Sequence, residues 1–246
     1  MGSTGKSTNY GTITKPDGTV VHLPDKLVYS KDTGSGNIPQ SVLDFEKQYR
    51  KAKIEHLILE SSVFGTVGTH KGNAEHVSAS MLEHSMADIT SHNHPRTGDQ
   101  QGWLSGTFSP QDISVFSNYH TTDRVTGAEG IYSITKGANF KDTLASDFAT
   151  FADNMKTSND AKIPDIQARL NADYKKLKSD FNAKAKGMSY TQFEKEYETF
   201  KKDWDNISAK YQNEVDNLAN RSAIAMHNWL LDNQKKYGYT YGLTRW

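Results

Sequence analysis

The stretch Ser91-His92-Asn93-His94-Pro95, followed further on by Phe108-Ser109-Pro110-Gln111-Asp112, decides how the rest of the chain is read. On an extended segment ending in proline, successive side chains alternate, so His92 and His94 point to the same side. Both imidazoles therefore reach one metal ion. Asp112, a loop later, completes three protein ligands and leaves a fourth position for water, the open tetrahedral arrangement of a catalytic zinc site. Such a site needs a nearby carboxylate to take the proton from that water. Glu55, at the start of the apolar run Ile54-Glu55-His56-Leu57-Ile58-Leu59-Glu60, is the candidate. Glu60 competes with it, but five residues along a strand place the two on opposite faces.

Composition limits what surrounds this site. The chain has 246 residues, 29 basic and 29 acidic, and no cysteine. Only 35% of residues are hydrophobic, and the mean hydropathy is −0.74. That is polar for the size, yet long enough for one or two domains with real cores. Balanced charge argues against a protein that holds nucleic acid or acidic membranes by its overall field. The lack of cysteine excludes a disulfide scaffold, a thiol nucleophile and a thiolate zinc site. No window approaches the ~18 apolar residues of a bilayer span. The start, Met1-Gly2-Ser3-Thr4-Gly5-Lys6, has no apolar core of a secretory signal. The expectation is a soluble, cytoplasmic protein.

The two halves differ in architecture. Eight of the nine histidines lie in the first 120 positions, and alanine, lysine and aspartate take over after about Phe140. The charge count, 12 basic and 14 acidic before Phe140 against 17 and 15 from there on, makes neither half a charged tail. Thr12-Ile13-Thr14 and Thr19-Val20-Val21-His22-Leu23 flank the turn signal Lys15-Pro16-Asp17-Gly18. Ser30 to Gln40 is rich in Gly, Ser and Asn and reads as a flexible connection. Val42 to Lys53 has helical spacing, and a strand follows from Ile54, with Gly65 and Gly68 as punctuation. Met86 to Thr90 is a short apolar run, and Gly130 to Thr135 is another strand candidate.

The second half is helical. The positions Tyr190, Phe193, Tyr197, Phe200, Trp204, Ile207, Tyr211, Val215 and Leu218 repeat close to every 3.5 residues, as in a packed helix pair. Ile163, Ile166, Leu170, Tyr174, Leu177 and Phe181 form a matching stripe. Gly187 separates the two, and Ser189 with Gln192 is a capping-box signal. An antiparallel hairpin over roughly 163–186 and 190–220 is expected. The aromatic end, Tyr237-Gly238-Tyr239-Thr240-Tyr241, reads either as a packed edge strand or as a surface for a substrate tail. The fold class is α/β (α+β). Three segments are expected: 1–40 as hairpin and linker, 41–139 as the catalytic domain, and 140–246 as the helical hairpin with its aromatic end.

Glu55, then His92-Asn93-His94-Pro95, then Ser109-Pro110-Gln111-Asp112 resemble in order the pattern of the JAMM (MPN+) metalloprotease family. Glu55-His56-Leu57-Ile58-Leu59 looks like the glutamate-bearing strand of its bacterial RadC-type branch, which also favours Asn between the histidines. A helix before Glu55 and a Tyr-bearing strand near Ile131 are similar to JAMM domains of phage and mobile-element proteins. The resemblance covers about residues 40–137 and leaves out the helical hairpin. It implies a JAMM/MPN-like mixed sheet with flanking helices, with His92, His94 and Asp112 binding Zn2+. It further implies Glu55 as general base and proton shuttle, and Ser109 as a hydrogen-bond donor to the oxyanion. The activity implied is hydrolysis of a peptide or isopeptide bond in a protein, such as a ubiquitin-like conjugate. One departure is the spacer Pro95 to Phe108, longer than the family's usual one; its glycine-rich sequence offers Trp103 for contact with substrate.

Other features have duller readings. His70, His76 and His84 fit hydrogen-bonded or solvent-facing roles better than a second metal cluster. The letters His92-Asn93-His94 do not make an HNH nuclease, whose three residues are dispersed over a ββα unit. The stripe Tyr190 to Leu218 reads as the hairpin's own seam, with a partner-binding groove as the alternative. Lys175-Lys176 and Lys201-Lys202 read as solvated helix faces. Two further functions stay open: an interaction protein using the MPN-like scaffold and the hairpin, and a RadC-like association with DNA repair, which the absence of a basic patch disfavours.

Overall fold

The computed structural model describes residues 12–14, 20–22, 27–30, 37–95, 106–127 and 129–246. The turn at 15–18, most of the 30–40 connection and Trp103 lie outside the described residues. Two short strands, β1 (Thr12–Thr14) and β2 (Val20–His22), pair antiparallel with Ile13 opposite Val21. After them come α1 (Gln40–Tyr49), β3 (His56–Ser61), β4 (Gly65–Lys71), α2 (Met81–Met86), β5 (Ile89–Asn93) and α3 (Pro110–Tyr119). Then follow β6 (Thr122–Thr126), β7 (Ile131–Lys136), α4 (Leu144–Asp160), α5 (Ile163–Ala185), α6 (Tyr190–Tyr237) and β8 (Tyr239–Thr244). The class is mixed α/β. No described helix is long and apolar enough to cross a membrane.

The chain divides into two compact units, residues 1–154 with 220–246, and residues 155–219. This division does not follow the segment boundary expected at 140, because the end of the chain returns to the first unit. There the six-stranded sheet has the order β4-β3-β5-β6-β7-β8. Neighbours are antiparallel except β5 and β6, which run parallel. A parallel pair cannot be joined by a tight turn, so the connection passes through α3. β8 pairs with β7, which makes Tyr239 and Tyr241 part of a packed edge strand.

Alternation sorts the strands' side chains into two cores. Ile58 packs with Val42 and Phe45 of α1, while Leu57 and Leu59 join Ala87 on the other face. The largest cluster gathers Phe108, Ile113 and Phe116 with Val125, Tyr132, Leu144, Phe148, Leu230, Tyr237 and Leu243. Gly65, with φ +74, does mark a turn, but Gly68 is not punctuation; it lies inside β4. A Cβ there would stand 2.8 Å from Glu83 Oε1, so the glycine leaves room for the α2 carboxylate against the sheet.

Polar groups also enter this unit. Glu46 of α1 and Arg124 of β6, each 1% exposed, form a fork: Nε–Oε1 2.6 Å and Nη2–Oε2 3.0 Å. Ser91 of β5 donates to the same Oε1 at 3.0 Å. A second buried chain runs through His227. Its Nε2 lies 2.8 Å from the Val28 carbonyl, which can only accept, so that nitrogen carries the proton. Nδ1 then accepts from the Tyr241 hydroxyl at 2.8 Å, and Tyr241 accepts from Thr107 at 2.7 Å.

The second unit is the expected helical hairpin. Ile166, Tyr211 and Leu218 form its buried cluster, with Leu170, Ile207 and Val215 packed against it. Tyr174 packs on Trp204, and Phe181 on Phe193 and Phe200. From Phe200 to Leu218 the stripe is thus the hairpin's own seam, while Tyr190, Phe193 and Tyr197 are exposed. Gly187 turns the chain at φ +82, and Ser189 donates through its N–H to the Gln192 side chain at 3.0 Å. Tyr211 donates to Asp173, and Arg169 forks onto Glu214 across the hairpin.

Two outcomes follow. Glu46→Ala leaves Arg124 charged and unpaired in the interior, and stability falls by about 3–5 kcal/mol, read as a lower urea midpoint at unchanged slope. Burial holds His227 neutral, pulling its pKa from 6.5 down to about 4 despite the bond to Val28. The unfolded chain takes up that proton first, so stability is lost as pH falls from about 6.5 to about 4 and changes no further below. At about 1.4 kcal/mol per unit, the loss is on the order of 3 kcal/mol. In urea titrations across that range, His227→Gln removes this part of the slope.

Candidate metal centre

β5 and the start of α3 build the site. In β5, Thr90 and His92 share one face, while Ser91 turns to Glu46 behind the sheet. His94 lies just past the strand end, and its N–H continues the ladder to β6 by donating to the Thr126 carbonyl at 3.0 Å. The two imidazoles are thereby fixed side by side, with Nε2 atoms 3.1 Å apart.

Asp112 arrives through a helix cap. Ser109 is the N-cap of α3 and Pro110 its first helical residue, a position where the missing N–H costs nothing. The Ser109 hydroxyl accepts the Asp112 N–H at 3.2 Å, and Asp112 Oδ2 accepts the Ser109 N–H at 2.7 Å. This reciprocal capping box holds the aspartate's rotamer. Oδ1 then lies 3.5 Å from His92 Nε2, and Oδ2 3.7 Å from His94 Nε2. His92, His94 and Asp112 thus offer ligand atoms that all lie within 4.8 Å of one another, a group able to hold a metal ion.

The donor set fits a small divalent ion. A tetrahedron with bonds of about 2.0–2.1 Å has edges of roughly 3.3–3.4 Å. The Nε2–Nε2 separation of 3.1 Å and the 3.5 Å from Asp112 Oδ1 to His92 Nε2 bracket that value. Burial works against charge on His92, but Asp112 outweighs it, with help from Asp123 and Glu55, and raises its pKa to about 9. Burial also opposes charge on Asp112, yet His92 and His94 hold its carboxyl well below the usual carboxylate range.

A cavity of about 590 Å³ opens beside the triad, lined by Glu55, Leu57, Val77, Thr90, Ser109, Val115, Tyr119 and Asp123 among others. Leu57 pairs directly with His92, and Glu55 is two residues before Leu57, on the same face of the chain. The structure therefore brings together Glu55, His92, His94, Ser109 and Asp112, all of them singled out by sequence. Glu60 is buried, accepts a bond from Thr66 at 2.9 Å, and does not line the cavity.

Sequence reasoning passed over Asp123. It lies in β6 opposite Thr90, whose hydroxyl donates to its Oδ1 at 2.6 Å. Burial pushes its pKa up to about 7, with Asp112 adding to the rise and His92 opposing it. No local motif signals it, since the side chain that bonds it, Thr90, is 33 residues away in sequence. Of the histidines considered for a second cluster, His70 lies 2.9 Å from Glu83, His84 Nδ1 lies 3.0 Å from His120 Nε2, and His76 lines the cavity. His120 is held neutral by burial, its pKa lowered to about 4.

Ser109→Ala removes one half of the cap. The loss is about 1 kcal/mol in chemical denaturation. Because the Asp112 rotamer loses a support, affinity for a divalent ion, measured by calorimetry, drops about tenfold.

Comparisons with family models, with curated proteins and with solved structures find no match to this chain, so its functional reading rests on the geometry of these residues.

Proposed function

We propose that this protein is a zinc-dependent hydrolase of amide bonds, a peptidase or isopeptidase of the JAMM type acting on a protein substrate. The observation that carries this reading is the convergence of His92, His94 and Asp112 on the wall of a cavity that Glu55 also lines. Two imidazoles, one carboxylate and room beside them are the ligand set of a catalytic zinc with an open position. When bound, the ion supplies Lewis acidity and water at a lowered pKa.

The chain's own residues do the rest. His92 and His94 would hold the ion through their Nε2 atoms, and the Ser109 N–H restrains Asp112 from one side. Glu55 takes the proton of the attacking water and delivers it to the leaving nitrogen. The Ser109 hydroxyl uses its oxygen to accept the Asp112 N–H, and its hydrogen serves the oxyanion. Substrate class follows from charge. Glu55, Glu75 and Asp112 line the cavity, and among the described residues no lysine or arginine does. Such a wall repels phosphates and suits a polypeptide. A ubiquitin-like conjugate and a phage or mobile-element setting, in the cytoplasm of a bacterial host, follow from the resemblance in sequence.

A second reading, an interaction protein with an MPN-like scaffold, has one observation in its favour. Tyr190, Phe193 and Tyr197 of the helical hairpin are 76%, 39% and 43% exposed, an aromatic surface available to a partner.

Metal analysis separates the two. The purified protein is expected to hold about one zinc per chain, lost in His92→Ala and in Asp112→Ala. Glu55→Gln is expected to keep the zinc and abolish hydrolysis, so that a proteome exposed to it shows trapped rather than cleaved species. Absence of zinc from the wild type sinks the hydrolase reading. A biological phenotype unchanged by Glu55→Gln replaces it with the interaction reading.

A further inference from the structure

Asn93 stands between the two histidine ligands in sequence, yet its side chain serves a different strand. The backbone ladder between β3 and β5 ends at the Leu57–His92 pair. One residue beyond, the Asn93 carboxamide takes over. Its Oδ1 accepts the His56 N–H at 2.7 Å, and its Nδ2 donates to the Ile54 carbonyl at 3.0 Å. These are the two peptide groups that flank Glu55. On the opposite side, the Glu55 N–H donates to the Asn73 carbonyl at 2.6 Å, and the Glu55 carbonyl accepts the Gly72 N–H at 2.8 Å. Glu55 is therefore gripped from both sides, by backbone on one and by a single side chain on the other.

Asn93 is 1% exposed, so water does not substitute for it. The task also explains the residue type. One donor and one acceptor must be presented together, as a peptide group would present them, and the short carboxamide does this from a fixed strand position. Serine is too short to reach both groups, and aspartate lacks the donor. The strand that carries His92 on its cavity face thus holds the base with its other face.

We propose that Asn93 is a positioning residue for Glu55, fixing the backbone on either side of it relative to the strand that supplies His92 and His94. The inference rests on the assignment of Glu55 as base at a metal centre, made above. It predicts that changes at residues 93 and 55 act through one and the same feature.

The test uses the full chain loaded with Co(II), whose visible bands report on the metal and on the ionisation of its water. Wild type, Glu55→Gln, Asn93→Ala and the double variant are titrated with pH, with Asn93→Ser as a substitute should Asn93→Ala fail to fold. One Co(II) per chain is expected in all four, since no ligand is altered. The band midpoint is expected to shift in Glu55→Gln and to shift in the same direction in Asn93→Ala. In the double variant, it is expected to move no further than in Glu55→Gln alone. Shifts that simply add, or an Asn93→Ala midpoint equal to wild type, overturn the positioning role and leave the metal centre standing. A wild type that binds no Co(II), or a Glu55→Gln midpoint that does not move, overturns the proposed function and this inference with it. If neither residue-93 variant folds, hydrogen exchange of the wild type decides. A His56 amide as slow as that of Ile58 supports the clamp, and one that exchanges like an unpaired amide overturns it.

Discussion

The alternation of side chains along the five residues of β5 is the constraint on which the site depends. Thr90 and His92 face the cavity, Ser91 reaches Glu46 behind the sheet, and Asn93 reaches the backbone around Glu55. A slip of one residue in register would exchange the faces and dismantle the ligand pair, the buried ion pair and the grip on Glu55 together. The register is held on both edges, antiparallel to β3 and parallel to β6. The Glu46 carboxylate, shared between Ser91 and Arg124, adds a lock from α1. It is a costly lock to build, since two charges leave water, and its value is that any other register leaves them unpaired.

The polar groups near β5 are sorted by their surroundings. Asp112 and Asp123 both line the same cavity, yet they are driven in opposite directions. Two imidazoles hold Asp112 well below the usual carboxylate range, while burial pushes the Asp123 pKa up to about 7, its Oδ1 taking a hydroxyl bond from Thr90. Two carboxyl groups with separated proton affinities beside two histidines are a recurring feature of sites that move protons. The remaining buried histidines, His120 and His227, are neutral members of hydrogen-bonded chains and belong to the fold.

Much of this was legible in the sequence, for identifiable reasons. The α1 helix, the β3 and β7 strands and the helical hairpin announce themselves through apolar periodicity, which is a local property. So do the two histidines and the aspartate, because the spacing of a ligand pair on a strand and a residue in the third position of a helix are short-range features. Less legible were β4, whose Gly65-Thr66-Val67-Gly68-Thr69 has little apolar pattern, and β6, whose Thr122-Asp123-Arg124-Val125-Thr126 reads as polar although all five residues are buried. The β6 charges are accommodated by Glu46 and Thr90, far away in sequence. Ser109 and Asp112 were read for their chemistry, whereas their first task is to cap α3.

By itself the sequence determined which residue types are available for chemistry, the mixed class of the fold and the seam of the hairpin, because each depends on composition or on periods of two and about 3.5 residues. Tertiary structure alone decided which groups meet. It brought Asp123 into the cavity, gave β8 to the edge of the sheet, returned residues 220–246 to the first unit, and set Asn93 against the backbone of Glu55. The physical reason is that these contacts join residues tens of positions apart. Their partners are chosen by strand order and register, which arise only when the whole sheet forms.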